Sequence, residues 1–156
     1  MAFNIIMIAL IQRVKKSSVK INNQIYSQIN HGLLIFLGIH KDDTKSEAEY
    51  LCNKIVKLRI FSDRSSNMNK SIVDNKGEIL VVSQFTLYGD CKRGNRPSFI
   101  NLAKSNDAKP IYNFFISKLK GFNINVGSGK FGETMDVELI NSGPVTIIIE
   151  SKNEKN

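Results

Sequence analysis

A chain of 156 residues and 17.6 kDa has the length of one ordinary domain, and such a chain buries roughly 68–70% of its unfolded surface without staples. Hydrophobic residues at 42% and charged residues at 23% exclude a disordered tail, a collagen-like repeat and a disulfide scaffold. Twenty-two Lys+Arg against 14 Asp+Glu leave a formal charge of +8. That excess has two equally good readings: a polyanionic partner, most economically a nucleic acid, or a codon pool skewed toward Lys, Asn and Ile.

Two cysteines, Cys52 and Cys91, are too few for a secreted framework and share no zinc-type spacing. They fit a reducing, cytoplasmic location. The apolar stretch near the start, Ile5 to Ile11, is far shorter than the roughly 18 residues of a spanning helix, and it lacks the flanks of a signal peptide. No membrane association is expected.

Ile5 to Val14 is a β-rich apolar run, continued by the alternating Ser18-Val19-Lys20-Ile21. Asn22-Asn23 then predicts a hairpin turn, because Asn tolerates positive φ, and a second short strand follows from Gln24. Leu33 to Ile39 is continuously apolar and suits a strand buried on both faces. Thr44-Lys45-Ser46-Glu47 is a capping box, after which Ala48, Leu51, Ile55 and Leu58 keep helical spacing. Residues 62–77 are polar and predict a surface loop, and Glu78 to Leu87 returns to strand character. The stretch from Tyr88 to Phe99 mixes glycines and Pro97 with Lys92, Arg93 and Arg96, which makes a basic loop.

A second amphipathic helix is predicted from Asp107 to Lys120, with Ala108, Ile111, Tyr112, Phe115 and Leu119 on one face and Pro110 in the first turn. Met135 to Leu139 and Val145 to Ile149 read as two strands linked by Asn141-Ser142-Gly143-Pro144, and the charged tail beyond Glu150 is expected to fray. No repeat or linker divides the chain. Strands with two inserted helices indicate one α+β domain of antiparallel sheets closing toward a barrel.

Gly127-Ser128-Gly129-Lys130-Phe131-Gly132 matches G-x-G-x-x-G, but a strand follows it and too little chain remains for a βαβ unit. It is read as a loop that lets backbone approach something closely. His31 and His40 flank the Leu33–Ile39 run without any nucleophile motif and are read as turn or strand-end residues. Two histidines and two scattered cysteines make a protein-built metal site improbable. Lys92, Arg93 and Arg96 stand equally as a solvated loop or a phosphate contact. Ser83-Gln84-Phe85-Thr86 places hydroxyl and amide groups at the end of an apolar strand, where binding groups sit.

Ser83-Gln84-Phe85-Thr86-Leu87, taken with Asn141-Ser142-Gly143-Pro144-Val145-Thr146, resembles the two signature motifs of the D-aminoacyl-tRNA deacylases. Ile11-Gln12-Arg13-Val14, Gly38 with Lys41 to Thr44, Arg96 to Phe99, and Gly129 to Gly132 with Met135 extend the likeness along the chain from Met7 onward, so residues 1–6 read as an extension. The resemblance implies hydrolysis of the ester joining a D-amino acid to the 3′ adenosine of tRNA, with clearance of mischarged glycine and rejection of L-aminoacyl groups. It implies a homodimer with active sites at the subunit interface and no metal or cofactor. A cis Gly143-Pro144 peptide would reach into the partner's site, although an X–Pro bond judged from sequence alone is expected trans.

Carried over by residue, the same resemblance assigns Ser83, Gln84, Phe85, Thr86, Gly143 and Pro144 to the catalytic set. Arg13, Phe131, Gly132, Met135 and Arg96 are assigned to substrate or tRNA binding, Arg13 as a buttress of the Gly-Pro turn. Lys92 and Arg93, in a loop that differs in detail from many members of the family, join the binding set on their charge. The tRNA's own terminal 2′-hydroxyl would help activate water, which makes Thr86 a binding group rather than a nucleophile. Two rivals remain: a non-catalytic RNA-binding module, and a hydrolase acting covalently through Ser83 or Thr86.

Overall fold

The computed structural model describes residues 6–66 and 68–151. In chain order it contains strands β1 (Ile8–Ile21), β2 (Gln24–Ile29) and β3 (Gly32–Gly38), helix α1 (Lys45–Lys57) and strand β4 (Glu78–Ser83). A 3₁₀ turn (Phe85–Tyr88), helix α2 (Ser105–Lys120) and strands β5 (Val126–Ser128) and β6 (Asp136–Glu150) complete it. Residues 1–5 and 152–156, which hold most of the expected extension and tail, lie outside the described residues. Ser151, at the start of that tail, is buried and held: its amide donates to the Met7 carbonyl at 2.9 Å, and its Oγ accepts the Met7 amide at 2.8 Å.

Asn22 and Asn23 both take positive φ, 51° and 63°, and turn β1 back into β2. The capping box is complete, with Thr44 accepting from the Ser46 amide and Glu47 accepting from the Thr44 amide.

The sheet runs β2-β1-β3-β4-β5, with β6 on the other side of β1. It is mixed, which corrects the expectation of antiparallel sheets: β3 pairs with β4, and β4 with β5, in parallel. The reason lies in the connections. Helix α1 separates β3 from β4 and α2 separates β4 from β5, and a helical crossover returns the chain in the same direction. Among the described strands the β1–β2 hairpin, the β1–β3 pair and the long β1–β6 pair are antiparallel.

Two apolar clusters occupy opposite faces of this sheet. Ala9, Ile11, Leu33, Ile35, Leu37, Ile79 and Val81 face both helices and pack on Leu51, Ile55, Ile111 and Phe115. Val14, Val19, Ile29, Leu34, Leu80 and Val82 face the inside of the curled sheet, against Val137 and Leu139 of β6. Because β3 and β4 are buried on both sides, their sequences are continuous apolar runs rather than alternating ones. Strand β1 serves both clusters through a register slip around Lys15, since Val14 pairs with Asn141 and Lys16 with Ile140. One extra residue moves the inward face from even to odd numbers.

Three expected boundaries move. Strand β4 stops at Ser83 rather than Leu87, where its partner β3 also runs out. Helix α2 begins at Ser105, so Pro110 falls in the second turn; it and Asn106, whose carbonyl a proline at this position cannot serve, are both exposed. The two expected C-terminal strands are one, β6, interrupted by a bulge at Ser142–Val145.

Candidate active site

Past Ser83 the chain leaves the sheet. The Gln84 amide donates to the Leu37 carbonyl at 2.8 Å, and the next four residues coil into the 3₁₀ turn. Tyr88 closes that turn by donating its hydroxyl to the Gly38 carbonyl at 3.1 Å and to that of Ile6, and burial pushes its pKa upward. The Gln84 carboxamide donates to the Thr86 hydroxyl, which fixes both side chains at the sheet's edge. Phe85 stays 52% exposed and meets Phe99 edge-on at 5.3 Å.

On the opposite side, the glycine-rich segment is drawn onto β4. The Gly129 amide donates to the Val81 carbonyl at 2.8 Å, and Tyr112 of α2 reaches the carbonyls of Val81 and Gly129 at 3.0 Å each. Phe131 lies 5.5 Å from the Tyr112 ring. A Cβ on Gly129 would stand 2.8 Å from the Met135 sulfur, so the close approach expected of this glycine is to Met135.

Between these walls lies a cavity of about 470 Å³, within the ordinary range for a small-molecule site. It brings together Ser83, Gln84, Phe85, Phe131, Gly132 and Met135, residues that come from segments about 45 positions apart. Sequence reasoning did not assign to a site Leu102 and Ala103 before α2, Ser105 and Ala108 on its first turns, or Glu133 and Thr134 beside the expected Gly132 and Met135; Leu37, Ile39, Val82 and Val137 complete the lining. Glu133 and Thr134 carry polar groups inside an already singled-out segment, which was the available signal.

Leu102 and Ala103 are held by the turn that follows β3. His40 bridges to Leu102, the Lys41 amide donates to Asn101 at 3.0 Å, and the Ala103 amide donates to Ile39 at 3.2 Å. Asp43 pins this turn by accepting the His40 amide at 2.6 Å on Oδ2, while its Oδ1 has no partner. Burial, reinforced by the charges of Glu47 and Asp42, pushes the Asp43 carboxyl up to about 7. Burial also lowers the His40 imidazole.

Gly143 and Pro144 do not line this cavity. Their peptide is cis, Gly143 has φ +137°, and both are exposed on β6. Arg13 lies beneath them, donating from Nε to the Ser142 carbonyl at 2.9 Å and from Nη1 to the Ile60 carbonyl at 2.7 Å. Thr86 lies just outside the cavity lining. Lys92, Arg93 and Arg96 project from an exposed loop closed by paired amides of Asp90 and Ser98, and Lys92 borders a shallow hollow of its own with Leu87 and Tyr88. His31 and His40 lie at the turns flanking β3. Cys52 is buried with its thiol pushed up to about 12, and Cys91 is exposed. Among the described residues no group of three His, Cys, Asp or Glu side chains could hold a metal ion, and no helix is long and apolar enough to cross a membrane.

A nearly closed mixed sheet flanked by two helices, with a polar strand end opening on a cavity, defines a compact α+β enzyme-like domain, and comparison gives its lineage. A family model described as D-Tyr-tRNA(Tyr) deacylase matches residues 10–150. A D-aminoacyl-tRNA deacylase of Thermosipho melanesiensis is 52% identical over 145 residues, covering 92% of this chain and 97% of the relative. One from Desulfatibacillum aliphaticivorans is 51% identical over 144 residues, covering 92% and 99%. The solved structure of a c-Myc DNA unwinding element binding protein superposes with a TM-score of 0.86 at 39% identity, covering 92% of this chain and 98% of that one. The chain belongs to the D-Tyr-tRNA(Tyr) deacylase family.

Proposed function

We propose that this chain hydrolyses the ester of D-aminoacyl-tRNA, releasing the D-amino acid and tRNA, and that the aminoacyl-adenosine end occupies the cavity between Phe85 and Phe131. The observation that carries the reading is the meeting of the 83–85 and 131–135 segments in one cavity, in a chain whose relatives carry the deacylase name. Adenine packs between the exposed Phe85 ring and the half-buried Phe131 ring, as unpaired RNA bases commonly stack on aromatic side chains. The first amides of a 3₁₀ turn have no partner within it. Those of Phe85 and Thr86, with the Ser83 hydroxyl, polarise the ester carbonyl and stabilise the developing oxyanion. Water attacks that carbon, assisted by the terminal 2′-hydroxyl of the substrate; the ester C–O bond breaks and the ribose oxygen takes the proton. Thr86 positions Gln84 and the substrate.

The chiral filter comes from a second copy. In a homodimer the exposed Gly143-Pro144 bulge of one protomer enters the partner's cavity and sets its carbonyls against the substrate's α-carbon. An L side chain collides with them, a D side chain points away, and glycine has no side chain to exclude. Lys92, Arg93 and Arg96 hold phosphates of the acceptor arm.

The test is ester loss from D-tyrosyl-tRNA and L-tyrosyl-tRNA, followed beside glycyl-tRNA. The expected result is rapid loss of the D and glycyl esters and persistence of the L ester. Equal rates on both enantiomers, or no loss from either, overturns the reading. Salt-sensitive tRNA binding without turnover would instead favour a nucleic-acid-binding module, a reading consistent with the +8 charge.

A further inference from the structure

Strand β6 carries four residues opposite one. Gln12 pairs with Thr146 and Val14 with Asn141, so Ser142, Gly143, Pro144 and Val145 all stand across from Arg13 alone. A bulge of that size takes its backbone groups out of the ladder, and groups near a packed sheet need other partners. Arg13 takes the Ser142 carbonyl. The far side is held by Asn141. Its Oδ1 accepts the Val145 amide at 2.7 Å, and its Nδ2 donates to the Val145 carbonyl at 3.1 Å and to the Thr146 hydroxyl oxygen at 3.0 Å. The carboxamide thus presents one acceptor and one donor to the same residue, the pattern a neighbouring strand would offer.

Val145 is buried, whereas Gly143 and Pro144 are exposed. The Asn141 side chain therefore closes the base of a loop whose tip projects freely. We infer that Asn141 is a positioning residue for chiral selection: by replacing the missing rung at Val145 it fixes the height and direction of the Gly143-Pro144 tip. The inference rests on the proposed role of that tip as the filter. Asn is required because no other side chain of this length both accepts and donates without charge. Asp keeps the acceptor and sets a second oxygen against the Val145 carbonyl. Ala removes all three bonds.

The experiment compares D- and L-tyrosyl-tRNA hydrolysis by the full chain with Asn141→Ala, Asn141→Asp and Thr146→Val. The selectivity ratio of kcat/KM, D over L, is expected to fall by about tenfold or more in both Asn141 variants. Their kcat on the D ester should stay within about threefold of the wild type. Thr146→Val leaves both Val145 bonds in place and should keep the ratio within about twofold.

A merely structural role would lower activity on both esters together and leave the ratio unchanged; that result overturns the inference. Should the Asn141 variants not fold, hydrogen exchange on the wild-type chain decides. The Val145 amide is expected to be protected despite lying outside the ladder, and fast exchange there overturns the inference. The wild-type ratio, measured in the same assay, reports separately on the filter itself. A wild type without D preference refutes the proposed function rather than the part played by Asn141.

Discussion

The cavity and the Gly143-Pro144 bulge are built on opposite principles. Behind the cavity stand β3 and β4, buried on both faces, with Leu33, Leu34, Ile35, Ile79, Leu80 and Val81 wholly out of solvent. A strand packed on both sides has little freedom to move, so Ser83 and Gln84 at its end are held to the precision that their proposed role needs. The bulge has no core under its tip. It is held by the hydrogen bonds of two side chains, Arg13 from the neighbouring strand and Asn141 from its own base. A cavity without a filter and an exposed tip without a cavity, in one chain, are the two halves of the site proposed to close between two copies.

That contrast yields its largest test at Gly143. A Cβ there would lie 2.8 Å from Arg13 Nη2 and 3.2 Å from the Val145 nitrogen, on backbone at φ +137° that L side chains rarely adopt. Gly143→Ala must shift the tip or displace Arg13. Misplacement of a positioning element by about 1 Å costs roughly 100-fold in rate. A fall of about that size is expected in the D-over-L ratio of kcat/KM, measured by ester loss from the two tyrosyl-tRNAs. The melting temperature should fall as well, because a non-glycine residue at φ +137° carries strain on the order of 1–3 kcal/mol even where it is exposed. A variant as selective as the wild type would separate the bulge from chiral selection.

The wall of the cavity nearest α2 offers the next test. An ordinary Asp ionises near ~3.9, and Asp43, 8% exposed, is pushed up to about 7. A carboxyl whose folded pKa is raised favours the protonated folded state. The cost of ionising it is absent below about pH 4 and grows as pH rises toward about 7, where it is complete. Measured as the difference between wild type and Asp43→Asn, which cancels the other groups, wild-type stability should decline by on the order of 2 kcal/mol across that window. Denaturant titrations at pH 4, 5.5 and 7 read it. A constant difference would place the carboxyl in water rather than in the turn that holds Leu102 and Ala103.

Much of the rigid half was legible in the sequence, because it obeys local rules. The Asn22-Asn23 turn, the Thr44–Glu47 capping box and the apolar face of α2 each carry their signal within a few residues. The parallel pairing of β4 was not legible, since strand direction depends on how the helices cross the sheet rather than on the strand's own residues. The strand-like Phe85-Thr86-Leu87 became a 3₁₀ turn because β3 ends and Tyr88 pulls the chain back toward Gly38, a contact 50 positions away. In the bulge, Gly143 and Pro144 were given a role, and Asn141, though named in the same motif, was not. Its part depends on a register of four residues against one, which only the paired strands reveal.

The smallest effect sharpens the same contrast from the rigid side. The Tyr112 hydroxyl lies buried between the carbonyls of Val81 and Gly129, linking α2 and β4 to the segment that carries Phe131 and Gly132. Val81 also accepts the Gly129 amide, so Tyr112→Phe leaves that carbonyl paired and deprives chiefly Gly129. Loss of one such bond costs about 1 kcal/mol of stability, seen as a lower denaturation midpoint with an unchanged slope. Because the loosened segment forms one wall of the cavity, KM for D-tyrosyl-tRNA should rise about threefold while D-over-L selectivity stays as in the wild type. In the proposed site selectivity belongs to the bulge, whereas the Tyr112 hydroxyl bonds to Val81 and Gly129. A loss of selectivity here would mean that the cavity wall itself reads handedness, and the division of labour between the two regions would fail.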